Sequence, residues 1–139
     1  MISALQQLAA DLRVACSFQV VAQLRAPWGI SIEGEPMCAF HYVAEGACVL
    51  MLPGEVPLSL EAGDLVWMPR GLSRVVADRP GREAVPLAEH VRTARRGSAR
   101  FELRGDGPRC SLYGAGVRFQ GATASRWLQS LPRLSVLRP

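Results

Sequence analysis

Residues 63–74 read Gly-Asp-Leu-Val-Trp-Met-Pro-Arg-Gly-Leu-Ser-Arg, and these twelve residues carry the clearest indication of the fold. Gly63 and Gly71 can adopt turn conformations that other residues resist, and Pro69 ends a strand because it lacks a backbone donor. Asp64 can cap the first turn with its carboxylate. The pattern therefore predicts a short strand held between two tight turns, as at a corner of a β-barrel.

On both sides of this corner the chain alternates short strand patterns with turn signals, about every 8–12 residues. The predicted strands cover residues 18–24, 28–32, 37–43, 47–52, 56–60, 65–69, 73–77, 100–104 and 110–119. Many short strands at this spacing favour a sandwich or barrel. A length of 139 residues suits one domain with one hydrophobic core, so we expect a single mostly β domain over residues 1–139.

Three segments have helical spacing of apolar residues. The first covers residues 3–13, and the second covers residues 87–96 after Pro86. The third covers residues 124–137, with a kink expected at Pro132. Its apolar stripe consists of Trp127, Leu128, Leu131 and Leu134. This stripe either closes the barrel or packs on a second subunit, so its members are candidate dimerisation residues.

The net charge of +4 does not indicate a nucleic-acid surface. All 16 basic residues are arginine, and they are scattered along the chain. No aromatic residues interleave with them, and no helix-turn-helix or zinc-finger pattern is present. No run of about 18 apolar residues and no signal peptide is present either. We expect a cytoplasmic protein that contacts no membrane and does not itself bind DNA.

The four cysteines, Cys16, Cys38, Cys48 and Cys110, occur singly. In a cytoplasmic chain this distribution favours buried, reduced thiols over a disulfide framework. Cys38 and His41 have the spacing of a metal-binding pair, but in an extended strand they face opposite sides. We expect no metal at this pair.

Residues 63–74 also resemble the second motif of the cupins, which runs Gly, five residues, Pro, one residue, Gly, two residues, His. Every fixed position matches except the last, where this chain has Arg74. Tyr42-Val43-Ala44-Glu45-Gly46 resembles the end of the first cupin motif. The resemblance implies a jelly-roll barrel, also called a double-stranded β-helix. The short N-terminal, mid-chain and C-terminal helices would cover the barrel or dimerise.

Within the cupins, the chain is similar almost end to end to the regulatory domains of AraC-type bacterial activators. The similar segments are residues 26–29, 40–43, 86–88, 118–119 and 131–134. This resemblance implies a homodimeric transcription regulator that binds a small-molecule effector in its barrel. Such a regulator binds DNA only through a C-terminal pair of helix-turn-helix units, which these 139 residues do not contain.

The resemblance to enzymatic cupins implies a metal site whose ligand positions this chain fills with other residues. Those enzymes use two histidines and a glutamate from the first motif and one histidine from the second. Here the glutamate position is Ala39, residues 33–35 are Glu-Gly-Glu, and the last position is Arg74. Some AraC-type relatives hold a metal through histidines where this chain has Arg70 and Arg74. Because a guanidinium repels cations, we expect no metal, no cofactor and no enzymatic activity.

The alternatives are a stand-alone metal-dependent isomerase or oxygenase and a non-catalytic small-molecule-binding cupin. One tightly bound iron, zinc or manganese per chain would favour the enzyme.

His41, Arg74, Trp28 and Trp67 are the candidate effector-binding residues. His41 shares a strand face with Ala39 and Val43, so it either hydrogen-bonds a ligand or is a core histidine bonded to a backbone carbonyl. Trp28 and Trp67 either line an apolar pocket or belong to the packed core.

Arg74 has the more specific alternatives. Pointing into the barrel, it would bind an anionic effector such as a carboxylate through its two-pronged donors. Otherwise it turns to solvent or pairs with Asp64 or Asp78. Residues 114–116, Gly-Ala-Gly, either permit a close approach or mark a bulge.

Overall fold

Eleven strands and two short helices form the part of the chain that the computed structural model describes, residues 13–91 and 98–139. The strands are β1 (Arg13–Arg25), β2 (Gly29–Ile32), β3 (Cys38–Glu45), β4 (Ala47–Met51), β5 (Leu58–Glu61), β6 (Leu65–Met68), β7 (Arg74–Ala77), β8 (Val85–Pro86), β9 (Ser98–Leu103), β10 (Arg109–Gln120) and β11 (Ser135–Leu137). The helices are α1 (Leu87–His90) and α2 (Ala122–Ser130). Neither of these two helices is long and apolar enough to cross a membrane.

The strands form two sheets. The six-stranded sheet has the order β11-β6-β3-β10-β1-β9, and the five-stranded sheet has the order β5-β4-β7-β2-β8. Buried side chains of both sheets form one hydrophobic core, which includes Leu24, Ile30, Val43, Leu50 and Val76. The predicted mostly β fold of jelly-roll type is therefore confirmed.

The corner at residues 63–74 has the predicted geometry. Gly63 and Gly71 have φ values of 95° and 47°, in the region that favours glycine. The Asp64 carboxylate accepts a hydrogen bond from the Glu61 backbone N–H at 2.9 Å and so closes the turn before β6. Strand β6 ends at Met68, directly before Pro69. Two tight turns thus set where β6 ends and where β7 begins.

The predicted helix over residues 124–137 is wrong beyond Ser130. Residues Ser135–Leu137 form β11 instead, which pairs antiparallel with β6 so that Leu137 lies opposite Leu65. Pro132 cannot donate the backbone hydrogen bond that would continue the helix. The edge of β6 offers unpaired backbone groups, and a strand satisfies them.

Two other predicted helices have different bounds. Arg13, predicted as the last residue of the first helix, lies in β1, and residues 3–12 lie outside the described part of the chain. The mid-chain helix was predicted over residues 87–96. It is seen as α1 over Leu87–His90, and residues 92–97 again lie outside the described part. The short strand β8 directly precedes α1 and pairs parallel with β2. It therefore sets where α1 sits against the five-stranded sheet.

Candidate functional site

A cavity of about 620 Å³ lies between the two sheets, within the range of small-molecule pockets. Its walls are largely apolar and include Val20, Ala22, Ile30, Val76, Phe101 and Leu112. Residues of α1 line it as well. Glu33, Glu35 and Arg118 also line the cavity and are exposed, so they mark where it opens to solvent.

Among the described residues that line this cavity, Arg74 and His41 are the buried polar side chains. They are 8% and 5% exposed. Strand β3 directs His41 inward together with Ala39 and Val43, and β7 places Arg74 across from it. The Arg74 Nε–H donates to His41 Nε2 at 2.8 Å, and Arg74 Nη1 donates to the Leu72 carbonyl oxygen at 2.7 Å. Of the two alternatives for Arg74, this geometry agrees with the one in which it points into the barrel.

Arg74 does not pair with either predicted alternative. Asp64 pairs with Arg138 at 2.8 Å, and Asp78 pairs with Arg82 at 2.8 Å. Within residues 13–91 and 98–139, no carboxylate lies in ion-pair contact with the Arg74 guanidinium. It is a buried cation without a counter-ion in the described structure.

Burial lowers the pKa of Arg74 to about 10, while the charge of Glu35 raises it in opposition. The guanidinium therefore keeps its positive charge at neutral pH. A positive charge held inside a largely apolar cavity raises the electrostatic potential there, because low-polarity surroundings screen it weakly.

His41 is a neutral imidazole with its hydrogen on Nδ1. Burial, and then the charge of Arg74, lower the pKa of His41 to about 3. Arg74 can only donate, so Nε2 must be the accepting nitrogen, and the tautomer follows from that bond. No described residue accepts a hydrogen bond from Nδ1. Neither alternative for His41 included this bond to an arginine.

Gly114 and Gly116 shape the cavity wall beside these two residues. They lie opposite His41 and Ala39 in the pairing of β10 with β3, and this register is continuous through residues 114–116. A Cβ on Gly114 would lie 3.4 Å from His41 Nδ1, and a Cβ on Gly116 would overlap the Met37 sulfur. On the other side of β10, the pairing with β1 shifts between Cys16 and Phe18, next to Gly116. This segment therefore both permits a close approach and lies beside a bulge.

The two tryptophans lie away from the cavity. Trp28 belongs to the hydrophobic core and does not line the cavity with His41 and Arg74. Trp67 lies on the other face of its sheet, where its ring stacks on Phe40 at a centroid distance of 6.0 Å. The structure therefore brings together two of the four candidate effector-binding residues, His41 and Arg74.

Helix α2 packs on the face of the six-stranded sheet that carries Trp67. The Trp127 ring lies 6.1 Å from Trp67 and 6.1 Å from Phe119, as measured between ring centroids. Leu128 and Leu131 are half-buried near the end of the helix. Leu134 lies beyond the helix and packs against the core, so the four candidate dimerisation residues do not share one helical stripe.

Arg70 holds the C-terminal end of α2, a role that the sequence did not indicate. Its Nη1 donates to the carbonyl oxygens of Leu128 at 2.9 Å and Leu131 at 3.0 Å. The Leu128 carbonyl also accepts from the Leu131 N–H at 3.3 Å, and a cationic donor stabilises the carbonyls at a helix end. Arg70 and Arg74 thus lie at the two ends of one short turn, one bonded to α2 and the other inside the cavity.

The residues present do not fit the metal site of enzymatic cupins. Across the described ranges, no three histidine, cysteine, aspartate or glutamate side chains converge to hold a metal ion. The cavity has Ala39 and Arg74 at two of the ligand positions. Cys38 faces away from His41, and its sulfur accepts a hydrogen bond from Trp67 Nε1. Cys38, Cys48 and Cys110 are buried free thiols, as predicted, and Cys16 has no described side chain.

Comparison with known proteins agrees with this architecture. The family model described as cupin matches residues 3–139, almost the whole chain. The chain belongs to the cupin family. No curated protein matches it.

Proposed function

We propose that this chain is the effector-sensing and dimerisation domain of an AraC-type bacterial transcription regulator acting in the cytoplasm. A small molecule bound in the barrel would control DNA binding by a helix-turn-helix domain of the same regulator. The observation that carries the proposal is the cavity of about 620 Å³, with apolar walls and a buried arginine that has no counter-ion among the described residues.

The polar groups of the cavity suit binding better than catalysis. His41 Nε2 is engaged by Arg74, so the lone pair of this imidazole is not available as a general base. The pKa of His41, lowered to about 3 by burial and by Arg74, also keeps it from serving as a general acid near neutral pH. Apolar walls with a small number of fixed polar groups are typical of ligand pockets.

The turn from Arg70 to Arg74 gives a physical route from the ligand to the dimer surface. A ligand that draws Arg74 toward itself would shift the Leu72 carbonyl to which Arg74 is bonded. The same turn carries Arg70, which holds the end of α2. We propose that α2, with Trp127 and Leu128, contributes to the dimer interface and that its position differs between the free and bound states.

The first test is the coding sequence after codon 139. We expect two helix-turn-helix patterns within about one further domain length. A stop codon directly after Pro139 would contradict the regulator and leave a non-catalytic small-molecule-binding cupin.

The second test uses the full-length gene product. Its affinity for its own promoter DNA, measured by fluorescence anisotropy, is expected to change when a ligand occupies the barrel. The Arg70→Ala variant should bind the same ligand and show a smaller change in DNA affinity. An equal change in both proteins would contradict the coupling through Arg70.

A further inference from the structure

The free hydrogen-bonding groups inside the cavity are donors. A guanidinium has five N–H bonds. In Arg74 one is used by His41 and one by Leu72, and Nη2 donates to no residue in the described ranges. His41 Nδ1–H likewise finds no acceptor there. His41 Nδ1 is a buried donor without a partner among the described residues, whereas Nη2 is not one of the buried unpaired atoms. Because buried donors are nearly always paired, His41 Nδ1 indicates a ligand that brings acceptor atoms, and the same ligand could accept from Nη2.

The charge in the buried part of the cavity favours an anion among such acceptors, since the other charged residues of its lining, Glu33, Glu35 and Arg118, are exposed at the mouth. A buried charge without a contacting partner is strongly unfavourable, so a ligand that pairs with Arg74 would stabilise it. Glu35 is the acid that influences Arg74, and it is exposed at the cavity mouth without forming an ion pair. A carboxylate matches the planar, two-pronged donors of a guanidinium in both geometry and charge.

The remaining walls of the cavity favour an anion whose uncharged part is apolar. The walls around Arg74 include Val20, Ile30, Val76 and Leu112, and they enclose about 620 Å³. This volume exceeds what a carboxylate alone would fill. Within these described walls Arg74 is the one buried cation, which favours a single negative charge over the several charges of a phosphate ester.

On the basis of the proposed function, we propose that the effector is an organic monocarboxylate with an apolar body, whose carboxylate binds Arg74. His41 acts as a positioning residue, because its Nε2 fixes the Nε edge of the guanidinium and leaves Nη2 free to face the ligand.

The test measures displacement of a neutral fluorescent dye, N-phenyl-1-naphthylamine, from the cavity. The competing probes are octanoate and 3-phenylpropionate, each compared with its own primary amide, which has nearly the same shape and no charge. The proteins are the wild type, Arg74→Gln, and Arg79→Gln as the matched control. Arg79→Gln removes the same positive charge as Arg74→Gln. Because Arg79 is exposed and does not line the cavity, its loss leaves the cavity unchanged.

In the wild type we expect the acids to displace the dye at concentrations roughly 10- to 100-fold lower than their amides, as charge-assisted hydrogen bonds would produce. The preference should persist in Arg79→Gln and fall to about threefold or less in Arg74→Gln. Dye uptake by Arg74→Gln, together with a urea unfolding transition as cooperative as that of the wild type, shows that this variant is folded with its cavity accessible.

Three results would overturn the carboxylate assignment alone, and the first two are amides that compete as well as acids and a preference for acids that survives in Arg74→Gln. Dye binding that neither acids nor amides reverse would also overturn it while leaving a ligand-binding barrel in place. If the dye does not bind the wild type at all, the cavity is not accessible. The proposed function and the carboxylate assignment then both fail.

Discussion

Lowering the pH from about 8 to about 5.5 is expected to reduce the free energy of unfolding through His41. The pKa of this residue falls from 6.5 to about 3 on folding, because of burial and the Arg74 charge. Between these two values the unfolded chain binds one more proton than the folded protein. Stability therefore falls as the pH falls, by up to about 1.4 kcal/mol per pH unit. At pH 5.5, about one unit below the unfolded pKa, the expected loss is about 1.4 kcal/mol.

Urea unfolding followed by tryptophan fluorescence, at a fixed protein concentration, measures this loss. The control is His41→Gln, because the glutamine Oε1 can accept the Arg74 Nε–H bond and does not titrate. Arg74, with a pKa of about 10, stays charged throughout this range. Between about pH 8 and about pH 5.5, the free energy of unfolding should fall by about 1.4 kcal/mol more in the wild type than in the variant. Parallel pH dependences in the two proteins would refute the buried, neutral His41.

Three further predictions concern the framework around the cavity. Gly71→Ala should destabilise the protein by about 2–4 kcal/mol, since a Cβ there combines a φ of 47° with a backbone oxygen at 2.5 Å. Gly54→Ala, with a φ of 74° and open space around the added Cβ, should cost only about 1–2 kcal/mol. Equal losses of unfolding free energy for the two variants in urea would contradict the contribution of the steric clash at Gly71. Arg70→Ala should speed amide hydrogen exchange at the end of α2, and unchanged exchange would show that water replaces its bonds. Cys48 and Cys110 should resist iodoacetamide at pH 8 in the native protein, because both are buried. Their hydrogen bond raises the pKa of Cys48 and lowers the pKa of Cys110, so the protection of Cys110 comes from burial alone. Rapid labelling of either thiol, mapped by mass spectrometry, would contradict that packing.

The features predicted correctly from the sequence are those that local chemistry determines. Gly63 and Asp64 act within the turn before β6, Pro69 and Gly71 act within the turn after it, and both turns have the predicted form. The inward face of β3 follows from strand alternation alone, which placed His41 with Ala39 and Val43. Arg74 could be placed at the cavity only as one of two alternatives, since the side chain that it contacts there, His41, lies on the distant strand β3.

The features predicted wrongly depend on contacts between distant segments. Residues 135–137 are too few for periodicity to separate a strand from a helix, and the free edge of β6 decides between them. Trp67 faces α2 because β6 pairs with β3 so that Trp67 lies opposite Phe40. This strand register cannot be read from the sequence. The bond from Arg70 to the end of α2 joins residues about 60 positions apart, beyond any local pattern.

The most direct test of the cavity as a ligand site is an NMR titration of ¹⁵N-labelled protein with octanoate. The Arg74 Nε–H resonance is assigned by its absence from the spectrum of Arg74→Gln. We expect this resonance to shift saturably as octanoate is added, and the His41 ring to show its hydrogen on Nδ1 before and after. An Arg74 resonance that stays in place while octanoate shifts only surface residues would contradict the account.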